Sequence, residues 1–109
     1  MQLSELQSAV DQWIGEIGGY WDKFQILAQL TEELGEVSSA LQRQAGLRPR
    51  KIEVDLEAEV GDLLFTLAAF ANANGLSLEQ SVKRTMEKYK ERDAQAWKEH
   101  GEKSKSSST

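Results

Sequence analysis

Cysteine is absent from the 109 residues, which excludes disulfides, thiolate metal sites and cysteine nucleophiles. Histidine occurs once, as His100 in a polar C-terminal stretch. That removes Ser-His-Asp chemistry, histidine-rich zinc sites and the Glu-x-x-His ligands of di-iron bundles. Positive charge is also in deficit. A formal net charge of −5 argues against a general nucleic-acid binder, which is normally basic. No apolar run approaches the roughly 20 residues that span a bilayer, and the N-terminus lacks the charged-then-apolar pattern of a secretory signal. These absences predict a soluble cytoplasmic protein with neither a membrane nor a nucleic-acid polymer as partner. Chemistry is left to carboxylates, lysine and arginine, hydroxyls and aromatics. With 39% apolar residues, the chain has enough for one domain with a modest core.

What is present is helical periodicity, with no strand signal. Leu3, Leu6, Val10, Trp13 and Ile17 predict a first amphipathic helix, with Ser4 as N-cap, and Gly15, Gly18 and Gly19 weaken and end it. The aromatic segment Tyr20-Trp21-Asp22-Lys23-Phe24 follows, either filling space beneath a helix junction or offering a shelf for a planar ligand. In residues 27–70 two long helices are expected on either side of a turn at Gly46 and Pro49, the single proline. Leu27, Leu30, Leu34, Val37 and Leu41 form the apolar stripe of one; Leu56, Val60, Leu63, Leu67 and Phe70 form that of the other. The second helix is expected over residues 53–73, with Asn74-Gly75 as its C-cap. Ser77 and Gln80 have the capping-box form that opens a fourth helix, whose buried side is expected at Leu78, Val82, Met86 and Tyr89. Arg84, Lys88 and Arg92 make a cationic row on it. Residues 1–100 form the expected domain, and the polar stretch over 101–109, with nothing to bury, is expected to be disordered.

Each hairpin helix carries a pair of acids beside its stripe: Glu33 and Glu36 on one, Glu59 and Asp62 on the other. At about 100° per residue, Glu33 and Glu36 lie about 70° and about 130° off their stripe; Glu59 and Asp62 lie about 80° and about 140° off theirs. Two antiparallel helices are related by a two-fold axis, so equal offsets in the same sense fall on one side of the pair. Glu36 and Asp62 are each about thirteen residues, or about 20 Å of helix, from the turn. Four carboxylates are therefore expected on one patch. Such a group repels itself unless a cation sits among its members, and oxygen-only ligands suit Mg²⁺, with Mn²⁺ as a substitute. A solvated acidic surface is the alternative. Gly35 and Gly61 lie between the acids of each pair, where each costs about 1 kcal/mol relative to alanine. Close backbone approach or room for a ligand would explain them.

Glu32-Glu33-Leu34-Gly35-Glu36, followed by Glu59-Val60-Gly61-Asp62-Leu63-Leu64-Phe65, resembles the split acidic signature of the MazG-type all-α nucleoside triphosphate pyrophosphohydrolases. Lys88-Tyr89 with Arg92 is similar to the basic motif on that family's last helix. The likeness runs over about residues 3–97 and is to the small single-domain members. It implies a four-helix bundle around a central antiparallel hairpin, completed by assembly into a homodimer or homotetramer. It implies that Glu33, Glu36, Glu59 and Asp62 hold Mg²⁺, with Glu32 as an extra ligand or water-orienting base. It further implies cleavage of nucleoside triphosphates between the α and β phosphates, with Lys88 and Arg92 on the β and γ phosphates. Trp13, Trp21 and Phe24 are candidates for the base pocket. One position departs from the pattern: many relatives have asparagine two residues before the lysine, and here it is Met86. A non-catalytic helical adaptor and a nucleotide-binding regulator are the competing readings.

Overall fold

The computed structural model describes residues 1–49, 53–93, 96 and 98–101. Among them every regular element is helical: α1 (Leu3–Glu16), α2 (Lys23–Gln44), α3 (Leu56–Ala73) and α4 (Leu78–Lys88), followed by a π-helical turn over Tyr89–Asp93. The all-α class expected from the sequence is what is found. No helix among these residues is long and apolar enough to cross a membrane. The chain divides into two compact units, Met1–Leu78 and Glu79–Thr109. Past Gly101 the tail expected to be disordered lies outside the described residues, as do Arg50 and Lys51 of the basic turn.

The helix ends are set by local chemistry. α1 begins two residues earlier than a Ser4 cap would allow. Gln2 is its N-cap, and the Glu5 side chain accepts from the Gln2 N–H at 3.3 Å. Asp22 caps α2 by accepting from the Phe24 N–H at 2.9 Å, and Asp55 caps α3 through the Ala58 N–H at 3.0 Å. The second cap starts α3 at Leu56, three residues after the expected Glu53. α2 and α3 both close on a glycine with positive φ, Gly46 and Gly75, a conformation L side chains rarely adopt. The following amides complete the closure: Leu47 N–H to Gln42 O and Leu76 N–H to Ala71 O, each at 2.8 Å.

Within the first unit α3 is central and packs against both α2 and α1. Its seam with α1 is built from small residues. Ala68, with no exposed surface, and Ala69 meet Val10 and Ile14, while Leu6, Tyr20 and Leu78 pack around them. On α2 the inward face is Ile26, Leu30, Glu33, Val37 and Ala40, rotated toward Glu33 from the predicted stripe. Leu27, Leu34 and Leu41 are instead 47%, 58% and 54% exposed. α2 is apolar over a wider arc than α3 covers, so the partner selects part of it. On α3, Val60 is exposed while Leu56, Leu63, Leu67 and Phe70 are half-buried. On α4, Leu78 joins the core as expected, but Val82, Met86 and Tyr89 are exposed. Gly35 and Gly61 are not places of close approach, because an added Cβ would meet nothing within 4 Å at either.

One side chain ties α1 to the α3–α4 connection. The Gln7 amide donates to Asn72 Oδ1 at 2.9 Å and to Leu76 O at 2.8 Å, and its oxygen accepts from the Leu78 N–H at 2.8 Å. Asn72 Nδ2 returns a bond to Gln7 O at 2.9 Å. Replacing Gln7 by leucine removes three of these bonds and leaves polar atoms of Asn72 and the turn unpaired. We expect a loss of about 2 kcal/mol, read as a lower urea midpoint at unchanged slope. A midpoint within error of wild type would mean that water replaces the amide without penalty.

Candidate active site

The hairpin brings Glu33, Glu59 and Asp62 together, with one carboxylate oxygen from each lying within 4.8 Å of the others. Glu33 and Glu59 are half-buried and Asp62 is exposed. Glu36 lies outside this trio, although its charge acts on Glu59 more strongly than any other. Glu33, rather than Glu36, is therefore the α2 acid that groups with Glu59 and Asp62. Glu32 is exposed and outside the trio.

Electrostatics follow from the crowding. Glu59 is held above the ordinary glutamate value of 4.5 by loss of solvation and then by Glu36, Asp62, Glu33 and the capping Asp55. The donor set fits a hard divalent cation. In an octahedral Mg²⁺ site, neighbouring and opposite oxygens stand about 3.0 and about 4.2 Å apart, so small side-chain rotations would bring the trio into range. Around Glu33 the geometry is prepared by Gln29 one turn earlier, whose Nε2 donates to Glu33 Oε1 at 2.6 Å.

Beside the carboxylates lies a cavity of about 360 Å³ whose wall includes Trp13, Tyr20, Trp21, Gln29 and Phe65 as well as Glu33 and Asp62. Trp13 and Phe65 meet edge-to-face, with centroids 5.7 Å apart and planes at 75°. Its hydroxyls are already engaged: Tyr20 donates to Asp11 at 2.5 Å and Thr66 to the Asp62 carbonyl at 3.0 Å. Of the three predicted aromatics, Trp13 and Trp21 line this cavity. Phe24 is not among its wall residues and is 78% exposed. Sequence reasoning missed Phe65 and Gln29. Phe65 lies one turn beyond Gly61 and Asp62, and Gln29 one turn before Glu33, so both sit next to the acid motifs on the same helices.

Lys88 ends α4 and Arg92 lies in the π-helical turn. Together with Arg84 they border one polar groove of the second unit, shared with Glu87 and Glu91. Lys88 Nζ lies 5.0 Å from the Tyr89 ring centroid. The exposed pair Lys83–Glu79 at 3.8 Å contributes little.

A family model of the MazG nucleotide pyrophosphohydrolase domain matches residues 23–97. The chain belongs to this family. It is 38% identical over 105 residues to the uncharacterized protein YpjD of Bacillus subtilis (strain 168), spanning 91% of this chain and 95% of the relative. The crystal structure of YPJD from Bacillus subtilis superimposes with a TM-score of 0.74 at 36% identity, over 82% of this chain and 95% of that one. A Bacillus-conserved MazG protein described as a nucleotide pyrophosphohydrolase gives 0.74 at 31%, over 84% and 93%. The iMazG protein of Vibrio DAT 722 gives 0.62 at 28%, over 84% and 99%. The protein is accordingly an enzyme of the nucleotide pyrophosphohydrolase class, and nucleotides are its substrates.

The raised Glu59 value generates a pH dependence. Without metal the folded state holds the Glu59 proton more tightly than the unfolded chain does. This group therefore favours folding as pH falls from neutral toward 4.5 and opposes it above the raised value. A cation must displace that proton. The gain in melting temperature on adding Mg²⁺ should thus be largest at pH 7–8 and shrink at about pH 5, in thermal melts with and without the ion. A gain independent of pH would separate the ion from Glu59.

Proposed function

We propose that the protein is a Mg²⁺-dependent nucleoside triphosphate pyrophosphohydrolase that hydrolyses the α–β phosphoanhydride, taking up water and releasing a nucleoside monophosphate and pyrophosphate. The observation that carries this is the sharing of one cavity by the Glu33 and Asp62 carboxylates and the Trp13–Phe65 pair. In this reading the aromatic walls hold the base by stacking and exclude water from one side of the reacting phosphate. The volume lies within the range of small-molecule pockets, about 300–1,000 Å³. Glu33, Glu59, Asp62 and Glu36 hold the metal, which when bound supplies charge neutralisation on the phosphates and acidifies water. Glu32 supports them as extra ligand or water-orienting base. Lys88 and Arg92 bind the β and γ phosphates, and Phe24 remains a candidate contact to the base. Damaged, surplus or otherwise non-standard nucleotides are the proposed substrates, in ribose or deoxyribose form, and the cytoplasm the proposed compartment.

A panel of triphosphates incubated with Mg²⁺ and separated by chromatography tests the reaction. Monophosphate and pyrophosphate are expected, with kcat reduced at least about 100-fold in Glu33→Gln and Asp62→Asn. Diphosphate and orthophosphate would move the cleaved bond; absence of any product at stoichiometric enzyme would overturn the reading in favour of a regulator or adaptor.

We also propose a homodimer or homotetramer. Leu27, Leu34 and Leu41 recur every seventh residue on the exposed side of α2, the spacing of a helix-pairing seam, and support a second copy as its cover. Leu41→Glu should then lower the mass measured by light scattering to that of a monomer, whereas an unchanged mass would place the interface elsewhere.

A further inference from the structure

We infer that Gln29 is a positioning residue that links occupancy of the aromatic cavity to cation binding by fixing the orientation of Glu33. This rests on the reading of Glu33, Glu59 and Asp62 as a metal centre. Gln29 lies one turn N-terminal to Glu33 on α2, and both side chains are half-buried. Its Nε2 donates to Glu33 Oε1 at 2.6 Å, a short contact that ties one carboxylate oxygen to the amide. A carboxylate has two oxygens. Holding one leaves the other to meet Glu59 and Asp62 in a single orientation, the task that outer-shell hydrogen bonds perform for metal ligands elsewhere. Residue chemistry matters as well. Glu33 belongs to a group whose mutual repulsion already raises Glu59, so a donor stabilises its ionised form. A neutral amide does this without the positive charge of lysine or arginine, which would compete with the cation.

The same side chain lines the cavity. Its amide keeps a second N–H and a carbonyl oxygen, while the Tyr20 and Thr66 hydroxyls in that wall are engaged with Asp11 and with the Asp62 carbonyl. A base or sugar in the cavity that hydrogen-bonds the Gln29 amide therefore restrains the group that aims Glu33. Linkage makes the effect reciprocal: whatever the occupant does for cation affinity, the cation does for the occupant. Base recognition at this cavity then acts through assembly of the carboxylate centre as well as through contact.

Mn²⁺ binding to the full-length protein, followed by electron paramagnetic resonance without any nucleotide, tests this. Gln29→Met keeps the length of the side chain and removes the donor. Gln29→Asn keeps the amide and shortens it by one methylene, and serves as the deciding variant if the first fails to fold. Melting temperature without ion reports the fold of each. In both, the Mn²⁺ dissociation constant should rise about 10–100-fold. Free nucleosides carry no phosphate to hold the ion. Among adenosine, guanosine, cytidine, uridine and their deoxy forms, the best-bound should tighten Mn²⁺ binding about fivefold or more in wild type and leave Gln29→Met unmoved. Unchanged Mn²⁺ affinity in both variants, or a nucleoside effect that persists in Gln29→Met, would overturn the inference. A wild-type protein that binds no Mn²⁺ would instead overturn the metal-centre reading beneath it.

Discussion

Carboxylates gathered on one side of a helix pair repel one another, and this unfavourable contact organises the first unit. Glu33, Glu59 and Asp62 each bring a carboxylate oxygen within 4.8 Å of the others in a protein whose net charge is already negative. Packing elsewhere must hold the two helices at a register that electrostatics alone would slide apart. The packing is firm because it is short-ranged: α3 presents Ala68, Ala69 and Ala71, which let neighbouring backbones come close, and aspartate caps and glycine closures define the helix ends. Loss of solvation and the neighbouring carboxylates together make folded Glu59 hold its proton more tightly than the unfolded chain does.

Glu33 shows how closely site and core are joined. It occupies a position of the inward face of α2, in line with Ile26, Leu30, Val37 and Ala40, where an aliphatic residue would pack without penalty. A carboxylate there is only half exposed and needs partners. Gln29 supplies one from the same helix, and the Glu59 and Asp62 carboxylates stand across from it. The aromatic cavity adjoins it: Gln29 and Phe65 come from the acid-bearing helices, whereas Trp13 comes from α1 and Tyr20 and Trp21 from the segment that joins α1 to α2.

Local chemistry was legible in the sequence and tertiary choice was not. Gly46 and Asn74-Gly75 marked helix ends because a positive φ is a local requirement. The acid motifs and the all-α class were equally plain, since both follow from spacing along one chain. The face of α2 was misjudged because leucines at 27, 34 and 41 carry a stronger periodic signal than the Ile26, Glu33 and Ala40 face that α3 selects. Which acid of each pair joins the cluster was not legible, because Glu33 and Glu36 carry the same local signal and only the packing of α2 on α3 groups Glu33 with Glu59 and Asp62. Phe65 closes the second acid motif but was given no role, and Gln29 lies in no motif; only the pairing of helices reveals what they adjoin. The twin glycines were read as close backbone approach or as room for a ligand; an added Cβ would meet no neighbour within this chain at either, which removes the first explanation and not the second.

The second unit poses a separate problem of alignment. Arg84, Lys88 and Arg92 recur every four residues, and in a regular α-helix each such step drifts by about 40°, so three cations would spiral away from a common line. The chain changes period between the second and third. Tyr89–Asp93 is a π-helical turn, wider than an α-turn, and a four-residue step there falls short of a full circle by about 30°. The two drifts oppose one another and bring Arg92 back over Arg84, in agreement with all three bordering one groove. π-turns are rare and weaker than α-turns, and such insertions occur where a side chain must be re-aimed. Glu87 and Glu91 line the same groove, so its field alternates in sign along the helix.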